Sequence, residues 1–70
     1  MDKTIDVMVN GLKETLSENT TIAQLITRHK EGDVDLIVEH NGRFVYPRNY
    51  GDITLLHDDR IEFINPNFGG

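Results

Sequence analysis

The stretch Thr4-Ile5-Asp6-Val7-Met8-Val9-Asn10-Gly11-Leu12-Lys13-Glu14-Thr15-Leu16 decides the fold. Ile5, Val7 and Val9 alternate with Thr4, Asp6 and Met8, the period-two pattern of a strand with one buried face. Asn10-Gly11 follows at once. Both residues tolerate the positive φ of a type I′ turn, so a second, antiparallel strand is expected to run back from Leu12 through Leu16. Glu14 strains this reading, because a regular strand puts it on the face of Leu12 and Leu16, where an unpaired carboxylate is costly. A bulge or an exposed edge would resolve the conflict.

Outward from this hairpin, Ser17 to Thr20 is a polar break, and Ile22, Leu25, Ile26 and His29 then recur at the spacing of one helical face. Thr21 and Gln24 form a capping box, in which hydroxyl and side-chain amide each satisfy a free backbone N–H, so the helix is expected to start at Ile22. Lys30 complements the negative end of the helix dipole and Gly32 is expected to take the left-handed closing position. A helix of about nine residues is not stable alone and must be held by packing of the Ile22, Leu25 and Ile26 stripe.

Leu36-Ile37-Val38-Glu39-His40 is a second β-rich run, followed by another Asn-Gly at Asn41-Gly42 and the apolar stretch Phe44 to Tyr46, which together predict a second hairpin. Pro47 ends it. Arg48 to Asp52 is irregular, Ile53, Leu55 and Leu56 are expected beneath the sheet, and Asp58-Asp59 reads as a solvated turn. Arg60-Ile61-Glu62-Phe63-Ile64 alternates as the last strand, Pro66 removes a donor and terminates it, and Asn65 to Gly70 is left as a tail.

The chain has 70 residues, which allow one domain (1–70) with a small core; 37% are apolar and 27% charged, a composition suited to a folded domain rather than a disordered tail. The absence of cysteine excludes disulfides, thiolate nucleophiles and sulfur-ligated metals. A formal charge of -5 disfavours nucleic acid and anionic lipid as partners and points to proteins with basic surfaces. No run is long and apolar enough to span a membrane, and the amino terminus lacks a signal-peptide core, so a cytoplasmic location is expected.

Little in the sequence suggests catalysis. His29, His40 and His57 are too widely spaced for a local metal motif; His29 reads as a partly buried packing residue and His57 as a turn residue. The glycines compose neither a G-x-G-x-x-G nor a Walker-type loop. The unusual feature is Asn65-Pro66-Asn67-Phe68-Gly69-Gly70. A terminal carboxylate becomes electrophilic once it is an acyl-adenylate, and two residues without Cβ can slide extended into a channel too narrow for others.

The strand, Asn10-Gly11, the capped helix, Val38-Glu39-His40-Asn41-Gly42, Asp58-Asp59-Arg60-Ile61-Glu62-Phe63 and Gly69-Gly70, in that order and across essentially the whole chain, resemble the thiamine-pathway sulfur carrier family (ThiS). The resemblance implies an α+β, ubiquitin-like β-grasp. It implies a carrier, not an enzyme. Gly70 would be adenylated by a ThiF-like adenylating enzyme using ATP and magnesium, and converted to a thiocarboxylate with sulfur from a donor such as a cysteine desulfurase. A ThiG-like thiazole synthase would receive the sulfur. No cofactor or metal is expected to reside in the chain itself. Related carriers for molybdopterin (MoaD), cysteine and other sulfur metabolites share fold and ending, so the pathway stays open. So do a ubiquitin-like protein modifier acting through the same Gly70 and a plain β-grasp interaction module.

Two hairpins joined by a helix leave the last strand to pair between the first and third, giving a mixed sheet of order 2-1-5-3-4 with the helix on one face. The expected core is Ile5, Val7, Val9, Leu16, Ile22, Leu25, Ile26, Leu36, Val38, Leu56, Ile61 and Phe63. Met8, Ile37 and Ile64 then point away from the helix and are expected to form one exposed apolar patch for docking the adenylating enzyme. Phe68 and Gly69 are the expected recognition elements of the tail, which is expected to be mobile from about Asn67, and the free protein is expected to be a monomer.

Overall fold

A computed structural model of the chain describes residues 3–66. Strand β1 (Thr4–Val9) turns through Asn10-Gly11 into β2 (Leu12–Ser17), helix α1 (Ile22–Arg28) follows, and β3 (Ile37–His40) turns through Asn41-Gly42 into β4 (Arg43–Val45). A single 3-10 turn, Pro47–Asn49, precedes a long connection to β5 (Arg60–Ile64). The sheet has five strands in the order β2-β1-β5-β3-β4, as the chain order predicts. β1 and β5 are parallel, and the other neighbours are antiparallel. Both turns are of the expected kind: φ is 50° and 82° at Asn10 and Gly11, and 52° and 83° at Asn41 and Gly42.

The asparagines of these turns also sew the central strand in place. Asn10 donates its N–H to the Ile61 carbonyl at 3.0 Å and accepts the Phe63 N–H on Oδ1 at 2.8 Å. The β1–β5 ladder stops at Val9 and Ile61, so the Asn10 side chain takes over where the partner strand has ended. On the other side, Asn41 donates its N–H to the Arg60 carbonyl and accepts the Arg60 N–H on Oδ1, both at 2.8 Å.

Thr21 and Gln24 make the capping box. The first helical N–H groups are also satisfied from the 50–53 segment, because Ile22 donates to the Ile53 carbonyl and Ala23 to that of Tyr50. The helix is shorter than its periodicity suggests. It ends at Arg28, and Lys30 rather than Gly32 takes the left-handed closing position, with φ of 57°. Glu31 N–H bonds the Ile26 carbonyl and Lys30 N–H that of Thr27, the pattern of a Schellman close, so these bonds end the helix before Gly32 is reached.

The core joins Ile5, Val7, Val9, Leu16, Ile22, Leu25, Leu36, Val38, Val45, Leu55, Ile61 and Phe63. It differs from the sequence expectation at three places. Leu55 is buried and Leu56 is 66% exposed, because the bond from Leu55 N–H to the Thr20 carbonyl and the bridge of Thr21 to Thr54 turn Leu55 inward. Val45 joins the core opposite Val38, and Ile26 is only partly buried. Strands β3 and β4 each begin one residue away from the apolar run that marks them, at Ile37 and Arg43.

Glu14 needs neither a bulge nor full exposure. β2 is regular, Glu14 lies opposite Val7, and its carboxylate meets Arg28 Nε at 2.9 Å and His29 Nε2 at 2.8 Å. The helix supplies the partners the strand lacks. His29 is correspondingly more than a packing residue: its ring stands edge-on to Phe63 with centroids 5.6 Å apart while its Nε2 reaches Glu14.

Candidate functional site

The outgoing end of β5 is where the fold delivers the tail. β5 lies at the centre of the sheet, so its final residues are fastened from several sides. Phe63 is held through its backbone by Asn10 and through its ring by His29. Asn65 donates from Nδ2 to Glu31 Oε2 at 3.3 Å, a contact from the tail root to the turn that closes the helix. Sequence reasoning placed Asn65 in a free tail, since no local pattern pairs residues 34 apart. Phe68, Gly69 and Gly70, with the expected mobility from Asn67, lie outside the described residues.

On the face of the sheet away from the helix, Ile37 sits directly opposite Ile64. Ile64 is 38% exposed. Met8 also faces this way, at 36% exposure, but it is registered with Lys13 on one side and Arg60 on the other. Arg60 and Ile64 are four residues apart along β5, about 13 Å, with Glu62 between them. The expected three-residue patch is therefore split, because the parallel pairing of β1 with β5 sets Met8 against the start of β5 instead of its end.

Along this face Ile37 and Ile64 are followed by the paired Glu39 and Glu62, and aromatic residues of the next strand lie on the Ile37 side. Phe44 is opposite Glu39, and continuing that register by two residues, past Val45 and Val38, brings Tyr46 beside Ile37. Phe44 and Tyr46 are both 52% exposed and meet edge to face, with centroids 4.9 Å apart. The Arg48 guanidinium lies 4.7 Å from the centroid of the Tyr46 ring. The alternation Phe44-Val45-Tyr46, with Val45 buried, carried the signal for this face, but the sequence reading took the stretch only as a strand. Ile64, Ile37, Tyr46 and Phe44 thus lie on one face near the root of the tail, flanked by Glu39 and Glu62.

At the opposite end of β5, Asp59 is 8% exposed and is not the solvated turn residue its sequence suggests. Its carboxylate accepts from His40 Nε2 at 2.8 Å, Asn41 Nδ2 at 3.0 Å and Leu56 N–H at 2.8 Å. Burial alone would push this carboxyl up, but the hydrogen bonds from His40, Asn41 and Leu56, with the charge of His40, outweigh it and hold the group below its ordinary range. Its neighbour Asp58 is exposed, with φ of 72°.

The histidines are apart and separately engaged: His29 with Glu14, His40 with Asp59, and His57, whose Nδ1 accepts the Asp6 N–H at 3.0 Å. Among the described residues no group of three His, Cys, Asp or Glu is placed to hold a metal ion. No described helix is long and apolar enough to cross a membrane. The chemistry available at the end of β5 is that of the tail it carries.

A family model described as the ThiS family matches residues 3–70. Among solved structures, the crystal structure of a thiamine biosynthesis protein (ThiS) from Geobacter metallireducens is similar at 25% identity, covering 94% of this chain and 100% of that one with a TM-score of 0.81. Among curated proteins none matches the chain.

Proposed function

The chain belongs to the ThiS family, and from that premise we propose that it carries sulfur for thiamine biosynthesis on the carboxylate of Gly70. One observation carries the reading: a β-grasp whose central strand leads directly into a tail with Gly69-Gly70, over a family match that extends to residue 70. In this scheme a carboxylate oxygen of Gly70 attacks the α-phosphorus of ATP and pyrophosphate leaves, which gives an acyl-adenylate. A sulfide equivalent then attacks the acyl carbon and AMP departs with the oxygen, leaving a thiocarboxylate. The protein is a co-substrate in both steps; ATP and magnesium belong to a ThiF-like enzyme, and a ThiG-like synthase takes the sulfur.

The fold's part is presentation. The exposed apolar face of Ile37, Ile64, Phe44 and Tyr46 lies near the tail root and supports docking of the adenylating enzyme there, while Gly69 and Gly70 lack the Cβ atoms that would obstruct a narrow channel. Phe68 is the one large side chain between Pro66 and the reacting carboxylate, and an apolar groove on the enzyme would recognise it. Deleting Gly70, or replacing Gly69 with a bulky residue, is expected to leave thermal unfolding unchanged and abolish thiocarboxylate formation. Sulfur acquired by the deletion variant at an undiminished rate would end the carrier reading.

A further inference from the structure

The tail of this protein does not begin where its last strand ends. Asn65 follows Ile64, and its side-chain amide is bonded to Glu31 Oε2 at 3.3 Å. Glu31 is itself held by the helix close, through its N–H on the Ile26 carbonyl. Pro66 comes next, with φ confined by its ring, and it restricts the backbone of Asn65 to extended conformations. Two residues past the sheet are thus constrained from three directions: a side-chain tether to the helix end, a proline ring, and the proline's effect on its predecessor.

We propose that the Glu31–Asn65 contact is a positioning device for the transfer reaction, fixing the point from which the Gly70 carboxylate is presented. This rests on the carrier reading above. The consequence is one of reach. Four residues beyond Pro66 span at most about 14 Å, whereas six beyond Ile64 span about 21 Å. Releasing the root enlarges the volume over which the carboxylate is distributed. The local concentration at a docked enzyme's active site falls about 2-fold if it scales as the −3/2 power of tail length and about 3-fold if it scales with the cube of reach. Glu31 and Asn65 are therefore positioning residues: they touch neither nucleotide nor sulfur, and act by holding the chain that does.

The test uses the full-length protein with its adenylating enzyme, ATP and magnesium, and follows kcat/KM for pyrophosphate release. Asn65→Ala and Glu31→Ala are each expected to lower it about 2- to 3-fold. Glu31→Gln keeps an acceptor oxygen and should restore most of the loss. The double variant Glu31→Ala, Asn65→Ala should be no worse than either single one, because both remove the same contact. In parallel, the backbone amide order parameter of Asn65 should fall in Glu31→Ala while that of Val38 and the thermal midpoint stay as in the wild type, a pattern that a merely structural role would not give. Wild-type activity matched by both alanine variants overturns the positioning role and leaves the carrier reading intact. A wild-type protein that releases no pyrophosphate overturns the carrier reading itself.

Discussion

Asn10 performs two tasks that glycine separates. As the first turn residue it holds φ of 50°, which glycine adopts more readily; through Oδ1 it accepts the Phe63 N–H at 2.8 Å, which glycine cannot do. Asn10→Gly therefore favours the turn and orphans a donor beside a side chain only 7% exposed. An unsatisfied buried amide costs about 1–3 kcal/mol, and relief of the left-handed asparagine returns at most about 1 kcal/mol. The middle of that cost less the full return leaves a destabilisation of about 1 kcal/mol, a fall in Tm of about 4–8 °C for a domain of this size. Asn10→Asp keeps both an acceptor and tolerance of positive φ, and should stay within about 0.5 kcal/mol of the wild type. Urea unfolding followed by circular dichroism reads these differences directly. If Asn10→Gly is as stable as the wild type or more so, Asn10 is a turn residue alone and its role in completing the central strand is wrong.

Further expectations follow from other particular contacts. Lys30→Gly relieves a side chain held at φ of 57° in the helix close and should stabilise the fold by about 0.5–1 kcal/mol, seen as a rise in Tm. Asp59 has a folded-state carboxyl below its ordinary value of 3.8, so its contribution is complete above that value and is lost as pH falls through the folded one. Between pH 7 and pH 2 the wild type should lose stability more steeply than Asp59→Asn, which starts lower, and parallel curves would contradict this. Ile37→Glu puts a charge in the centre of the apolar surface and should weaken the adenylating enzyme's affinity about tenfold or more while leaving the circular dichroism melt intact; unchanged adenylation at limiting enzyme would remove that surface from the account.

What the sequence made legible was local. The alternation of Ile5, Val7 and Val9, the two Asn-Gly turns and the Thr21–Gln24 box each specify their element within a few residues, and the structure contains all of them. Strand order followed from chain order. Apart from the helix end, which local bonds from Lys30 and Glu31 close before Gly32, the departures depend on partners far away in sequence. Glu14 is acceptable on the inner face because Arg28 and His29 reach it from the helix, and Asp59 is buried because His40 and Asn41 enclose it. Leu55 and Leu56 carry no period that distinguishes them, so the bridge of Thr21 to Thr54 decides which turns inward. The exposed apolar face was half legible: Ile37 and Ile64 meet and the Phe44-Val45-Tyr46 alternation signals its aromatic side, but the parallel register that parts Met8 from them belongs to the assembled sheet.

The central claim concerns one atom at Gly70, and intact mass reads it most directly. After incubation with a ThiF-like enzyme, ATP, magnesium and a cysteine desulfurase with cysteine, replacement of one oxygen by sulfur adds about 16 Da, and fragmentation should place the increment on the carboxylate of Gly70. That gain, dependent on ATP and absent from the variant lacking Gly70, is the predicted result. An unchanged mass, an increment on another residue, or the appearance of the chain joined through Gly70 to a second protein in place of the thiocarboxylate would contradict it.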